Sequence, residues 1–72
     1  MRQQRDENLM VVTAVELYAK KYGIPTIEAL MLFRQYKITE LIRQHYNALH
    51  TQPLEECLYF ADDIIKRKQN GN

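Results

Sequence analysis

Seventy-two residues can fold as one small domain, and a chain this short buries only about 60% of the surface its unfolded form exposes. Ten basic and nine acidic residues nearly cancel, which argues against a strong electrostatic footprint for nucleic acid or anionic membrane. A single cysteine excludes an internal disulfide, and no apolar run approaches the roughly 20 residues of a membrane span.

Along the chain, breaks of a few residues separate four amphipathic segments. The polar stretch Met1–Asn8 reads as a frayed leader, with Asp6 and Glu7 near the positive end of a first helix. That helix is predicted from about Glu7 to Tyr22. At 100° per residue, Leu9, Thr13, Glu16 and Lys20 fall on one narrow strip. Val11, Val12, Val15, Tyr18, Ala19 and Tyr22 fill the opposite arc, and Met10, Ala14 and Leu17 widen it. The arc exceeds what one surface helix needs to face a single core. Gly23 and Pro25 then end the helix, the first by adopting the left-handed conformation and the second by blocking continuation.

A second helix is predicted from about Thr26 to Tyr36, with the Thr26 hydroxyl as its N-cap. Ile27, Ala29, Leu30, Met31, Leu32, Phe33 and Tyr36 leave a polar sector of Glu28 and Gln35, so this helix is expected to be the most buried. After a break at Lys37–Ile38, a third helix is expected from about Glu40 to His50, capped by Thr39. Its apolar face gathers Leu41, Ile42, His45, Tyr46, Ala48 and Leu49. Pro53 starts a fourth helix that runs to about Lys68. Leu54, Cys57, Leu58, Ala61, Ile64 and Ile65 form its buried stripe, while Glu55, Glu56, Tyr59, Asp62, Asp63, Lys66 and Arg67 face solvent. Asp62–Lys66 and Asp63–Arg67 are spaced for ion pairs one turn apart. The expected fold is therefore all-α, a compact bundle of four short helices spanning residues 1–72, with frayed ends at about 1–6 and 69–72.

No constellation specifies a chemistry. His45, between Leu41 and Leu49, reads as a buried or half-buried imidazole held by a hydrogen bond rather than a ligand or general base. His50 lies five positions on, about 140° around the helix, so the two cannot chelate one metal from a regular helix. Cys57 reads as a small buried hydrophobe. Glu55, Glu56, Asp62 and Asp63 read as a solvated face or, failing that, an attachment surface for a basic partner. The segment from the second to the third helix has the outline of a DNA-reading helix-turn-helix, with Arg43, Gln44 and Asn47 on its polar face. The balanced charge and Glu40 at the start of the reading helix weigh against it. No catalytic residue, cofactor site or metal site is expected.

The stretches ELYAKKYGIPTIEALMLFRQY, ITELIRQHYNALHT and ECLYFADDII resemble a family of very small bacterial helical proteins of unknown function. That resemblance implies genes lying beside those of ADP-ribosyltransferase-like proteins, and hence a neutralising, antitoxin-like role. The expectation is a cytoplasmic, non-enzymatic protein–protein interaction module that forms a homodimer when alone. A homodimeric helical DNA-binding or structural regulator stands as the alternative. The expected partner-binding surface lies on the first helix, at Met10, Val11, Ala14, Leu17, Tyr18 and Tyr22, because a monomer this small cannot cover both flanks of so apolar a helix.

Overall fold

The computed structural model describes the backbone of residues 2–71 and the side chains of residues 5–71. Its helices in chain order are α1 (Arg2–Tyr22), α2 (Thr26–Gln35), α3 (Ile38–Gln44), α4 (Tyr46–Leu49) and α5 (Leu54–Gln69). The described residues are all-α, with four helices of seven residues or more and one short turn of helix.

The first helix starts earlier than its apolar pattern suggests. The polar leader is helical from Arg2, because Gln, Arg and Glu are good helix formers without an apolar face. The Arg43 side chain also reaches it, donating to Asn8 Oδ1 at 2.7 Å. The expected frayed end at 1–6 is thus helix from Arg2 onward, and Met1 and Asn72 lie outside the described residues.

At the other end of α1, Gly23 takes φ +64°, and the Ile24 N–H donates to the Ala19 carbonyl at 3.0 Å. This six-to-one bond across a left-handed glycine is the Schellman closure that the Gly-Ile-Pro sequence predicts. The α2 entry differs from expectation. Pro25, at φ −62° and ψ 148°, occupies the cap position, and Thr26 is already helical with no side-chain capping bond. The Pro25 carbonyl accepts instead from the N–H groups of Glu28 and Ala29.

Between α2 and α3 the turn is made at Lys37, whose φ of 58° is left-handed. That twist delivers Ile38 straight into the core, where it is fully buried as the first residue of α3. Thr39 therefore lies inside the helix it was expected to cap. The third predicted helix is also broken. At His45 the backbone turns (φ −102°, ψ 15°), and α4 starts one residue later. The chain then leaves α4 through two local bonds, His50 Nδ1 to the Tyr46 carbonyl at 3.0 Å and the Thr51 hydroxyl to the Ala48 carbonyl at 2.8 Å.

The core sits around α1, not α2. Met10, Val11, Ala14, Val15, Tyr18 and Ala19 are all buried, against only Ala29 and Phe33 from α2. Helices α5, α2 and α3 each pack on α1. Tyr18 meets Phe33 edge-on, with ring centroids 5.6 Å apart, the arrangement aromatic quadrupoles favour. Ile42, Leu49, Cys57, Leu58, Ala61 and Ile65 complete the core from α3, α4 and α5. No helix among the described residues is long and apolar enough to cross a membrane.

Candidate interaction surfaces

The six residues expected to form a partner surface are divided by the fold. Met10, Val11, Ala14 and Tyr18 are buried within the chain, Leu17 is half-buried, and only Tyr22 is exposed. The expectation is corrected for a simple reason. Three other helices pack on α1, so one chain covers most of the arc that looked too wide for a monomer and leaves Val12 and Tyr22 exposed.

The apolar surplus falls on α2 instead. Ile27 and Met31 are each 62% exposed, one turn apart on the side that faces away from Ala29 and Phe33. Helix α2 packs chiefly on α1 and α3, through the side that carries Ala29 and Phe33. Leu30 and Leu32 flank the pair half-buried, and Glu28, Arg34 and Gln35 border it. Among the described residues, Leu9, Val12 and Tyr22 on α1 and Leu54 and Tyr59 on α5 are the other large apolar side chains left exposed.

Tyr22 belongs to a polar cluster that sequence reasoning missed. Asp62 was expected on the solvent face of the last helix, yet it is only 5% exposed. Its Oδ2 accepts from Lys21 Nζ at 2.8 Å and lies 3.4 Å from Lys66 Nζ, while its Oδ1 accepts from the Tyr22 hydroxyl at 2.5 Å. Burial alone would push the Asp62 pKa up. The hydrogen bonds from Lys21 and Tyr22, with the Lys21 charge, outweigh that effect and hold the carboxyl below the usual aspartate range. The same bond to Asp62 raises the Lys21 pKa. The pKa of Tyr18, whose ring is tilted 45° to that of Tyr22 with centroids 4.7 Å apart, is pushed up by its own burial, then by Tyr22 and Asp62. The cluster fixes the end of α1 to the middle of α5. The sequence signals were the one-turn spacing of Asp62 and Lys66 and the place of Lys21 and Tyr22 in the final turn of a helix whose apolar arc is largely core.

His45 is exposed, contrary to the buried or half-buried imidazole expected. Its ring lies edge-on to Phe60, centroids 5.5 Å apart, because the helix break at His45 turns the side chain off the apolar face. Cys57 is buried as expected, and burial, followed by the nearby Glu56 charge, raises its pKa. Glu55, Glu56 and Asp63 are exposed, and Asp63 pairs with Arg67 at 3.1 Å. The break at His45 also places Arg43 and Gln44 on one helix and Asn47 on the next, with Arg43 engaged by Asn8. No group of three or more His, Cys, Asp or Glu side chains is arranged to hold a metal ion among the described residues.

A family model described as a protein of unknown function, DUF3791, matches residues 9–68. The chain belongs to the DUF3791 family. Comparisons with curated proteins and with solved structures give no significant match. The DUF3791 match begins at Leu9, inside α1, and ends inside the last turns of α5. It therefore takes in every buried residue of the core, the Asp62 cluster and the exposed face of α2.

Proposed function

We propose that this DUF3791 domain is a cytoplasmic, non-enzymatic protein–protein interaction module. Its partner in this reading is the neighbouring ADP-ribosyltransferase-like protein of a bacterial pair, which it neutralises in the manner of an antitoxin. A second copy of the chain covers the same face when that partner is missing, giving a homodimer. The observation that carries the reading is the exposed Ile27–Met31 pair on the outward side of α2. An apolar helix face left uncovered in a folded chain marks a surface that another protein covers. An amphipathic helix laying such a face against a partner groove is a recurrent recognition mode. A non-enzymatic role is further supported by the buried, poorly ionised Cys57 thiol and by an exposed His45 whose ring neighbour is Phe60. The partner's identity rests on the family resemblance alone.

Native mass spectrometry of the chain alone, and of the chain co-expressed with its genomic neighbour, tests the proposal. The wild type is expected to form a one-to-one or two-to-two complex with the neighbour. Ile27→Glu with Met31→Glu is expected to abolish it while circular dichroism retains the helical signal, since both side chains are exposed. A complex that survives this double substitution would place the contact elsewhere. Absence of any complex with the neighbour would remove the antitoxin reading.

A further inference from the structure

One groove combines an apolar floor with carboxylates and has no lysine or arginine in its lining. It holds about 400 Å³ between α4 and α5. Leu49 and Phe60 line its base, His45 stands against Phe60, and Tyr59 is 54% exposed. Glu56 and Asp63 rim it from α5. The two carboxylates are seven positions apart, which on a helix is two turns and about 10.5 Å along one face, with Tyr59 between them. Glu56 has no ion pair among the described residues. Asp63 shares only the exposed Arg67, a surface pair that a better partner displaces at little cost. The favourable position of Glu55 and Glu56 at the start of α5 accounts for acids there, but Asp63 lies beyond the first turn, where the helix dipole no longer favours it.

We infer that this groove docks an arginine-bearing amphipathic segment of the partner protein. The inference rests on the reading of the chain as an interaction module and names the chemistry of what it binds, at a surface sharing no residue with the Ile27–Met31 pair. A guanidinium is planar and weakly hydrated, stacks on an aromatic face and donates two parallel bonds to a carboxylate. Glu56 and Asp63 supply the acceptors, Tyr59 supplies the face, and Leu49 with Phe60 takes an apolar side chain from the same segment. Lys66, Arg67 and Lys68 make the far end of α5 basic, so the segment lies over the stretch from Glu56 to Asp63.

The test uses the full chain, isotopically labelled, titrated with a synthetic helical peptide. The peptide carries two arginines two turns apart and leucines on the same side, and a twin has citrulline in place of arginine. The expected result is saturable amide shifts centred on His45, Glu56, Tyr59 and Asp63. Affinity should fall about tenfold for the citrulline twin, for Glu56→Gln and for Tyr59→Ala, each of which removes one charge-assisted or cation–π contact. Both substituted side chains are exposed, so these variants keep the fold. Shifts spread equally over Glu16, Glu28 and Glu40, or affinity indifferent to Tyr59→Ala, would overturn the inference. So would concentration-dependent shifts without peptide that Lys66→Glu with Arg67→Glu removes, because the occupant would then be a second copy. Failure of the peptide beside an intact Ile27- and Met31-dependent complex removes the groove alone. Loss of that complex with peptide binding intact removes the proposed partner alone.

Discussion

The Tyr22 hydroxyl donates to Asp62 Oδ1 at 2.5 Å across forty positions of sequence, joining the last turn of α1 to the middle of α5. Lys21 closes on the other carboxylate oxygen from the same turn. In a small core dominated by side-chain packing, this cluster sets how α1 and α5 meet at one end.

Tyr22→Phe is expected to cost about 1 kcal/mol, below the roughly 1.5–3 kcal/mol of a hydrogen bond to a charged group because Tyr22 is partly exposed to water. Asp62→Ala should cost more, because it removes the acceptor of both bonds and leaves Lys21 and Lys66 facing each other. Urea melts of each variant, and of Tyr22→Phe with Asp62→Ala together, measure the coupling. Fully additive losses would show that the contact contributes nothing.

The same carboxylate predicts a pH dependence. The Asp62 pKa is lower in the folded chain than in an unfolded one. Its contribution to stability is therefore fully present above the ordinary aspartate pKa and is lost as pH falls through the lower folded value. Wild-type chemical-denaturation midpoints should drop across that acidic window, and Asp62→Asn should flatten the drop. A variant with an acid limb as steep as the wild type would assign the limb to other carboxylates.

Packing on α1 yields a contrast between two methionines. Met10 is buried and Met31 is exposed. Met10→Glu places an unpaired carboxylate in the core and should unfold a domain of this size, since such burial costs several kcal/mol. Met31→Glu should leave the melting midpoint nearly unchanged, as surface substitutions usually fall within about 0.5 kcal/mol. Phe33→Ala, at a fully buried site of α2, should cost about 3–5 kcal/mol. A Met10→Glu chain that melts like the wild type would return α1 to the surface.

Helix existence and much of the core were legible from periodicity, because a 3.6-residue repeat of apolar side chains has one structural solution. Gly23 and Pro25 marked their boundary for the same local reason. What periodicity cannot supply is which helix ends in the middle. Both α1 and α2 are too apolar for one-sided packing, and apolar density alone ranks α2 first, which the buried residues of α1 reverse. The longer helix wins, since it can accept three neighbours along its length. Asp62 was misplaced because its burial depends on two partners forty and forty-one positions away. His45 was misplaced because an apolar face drawn through it assumes a continuous helix, and the backbone breaks there.

Cys57 offers a readout of opening. It is buried, and its thiol is held protonated by that burial and by the Glu56 charge. Since the thiolate is the reactive form, a disulfide-exchange reagent should modify it slowly, at a rate set by local or global unfolding. Tyr22→Phe and Phe33→Ala should each speed the reaction in proportion to their loss of stability. Modification as fast as that of a free thiol in the wild type would contradict the buried position.

Lys37 carries the last prediction. It is the only non-glycine residue with a left-handed backbone among the described residues, at φ 58°. An L side chain in that region costs about 1–2 kcal/mol, from the approach of Cβ to the backbone carbonyl. The position is nonetheless fixed. The Lys37 N–H closes the end of α2 on the Arg34 carbonyl at 3.1 Å, and its own carbonyl accepts the Leu41 N–H at 3.1 Å to open α3. Its conformation is also what brings Ile38 into the core. Lys37→Gly relieves the steric cost, and the extra freedom glycine gives the unfolded chain offsets part of the gain. The net expectation is stabilisation by roughly 0.5–1 kcal/mol, seen as a higher denaturation midpoint with an unchanged slope. Lys37→Val should move the midpoint the other way, because a β-branched residue tolerates this backbone least. If valine and glycine shift it equally, the turn between α2 and α3 is not left-handed in solution.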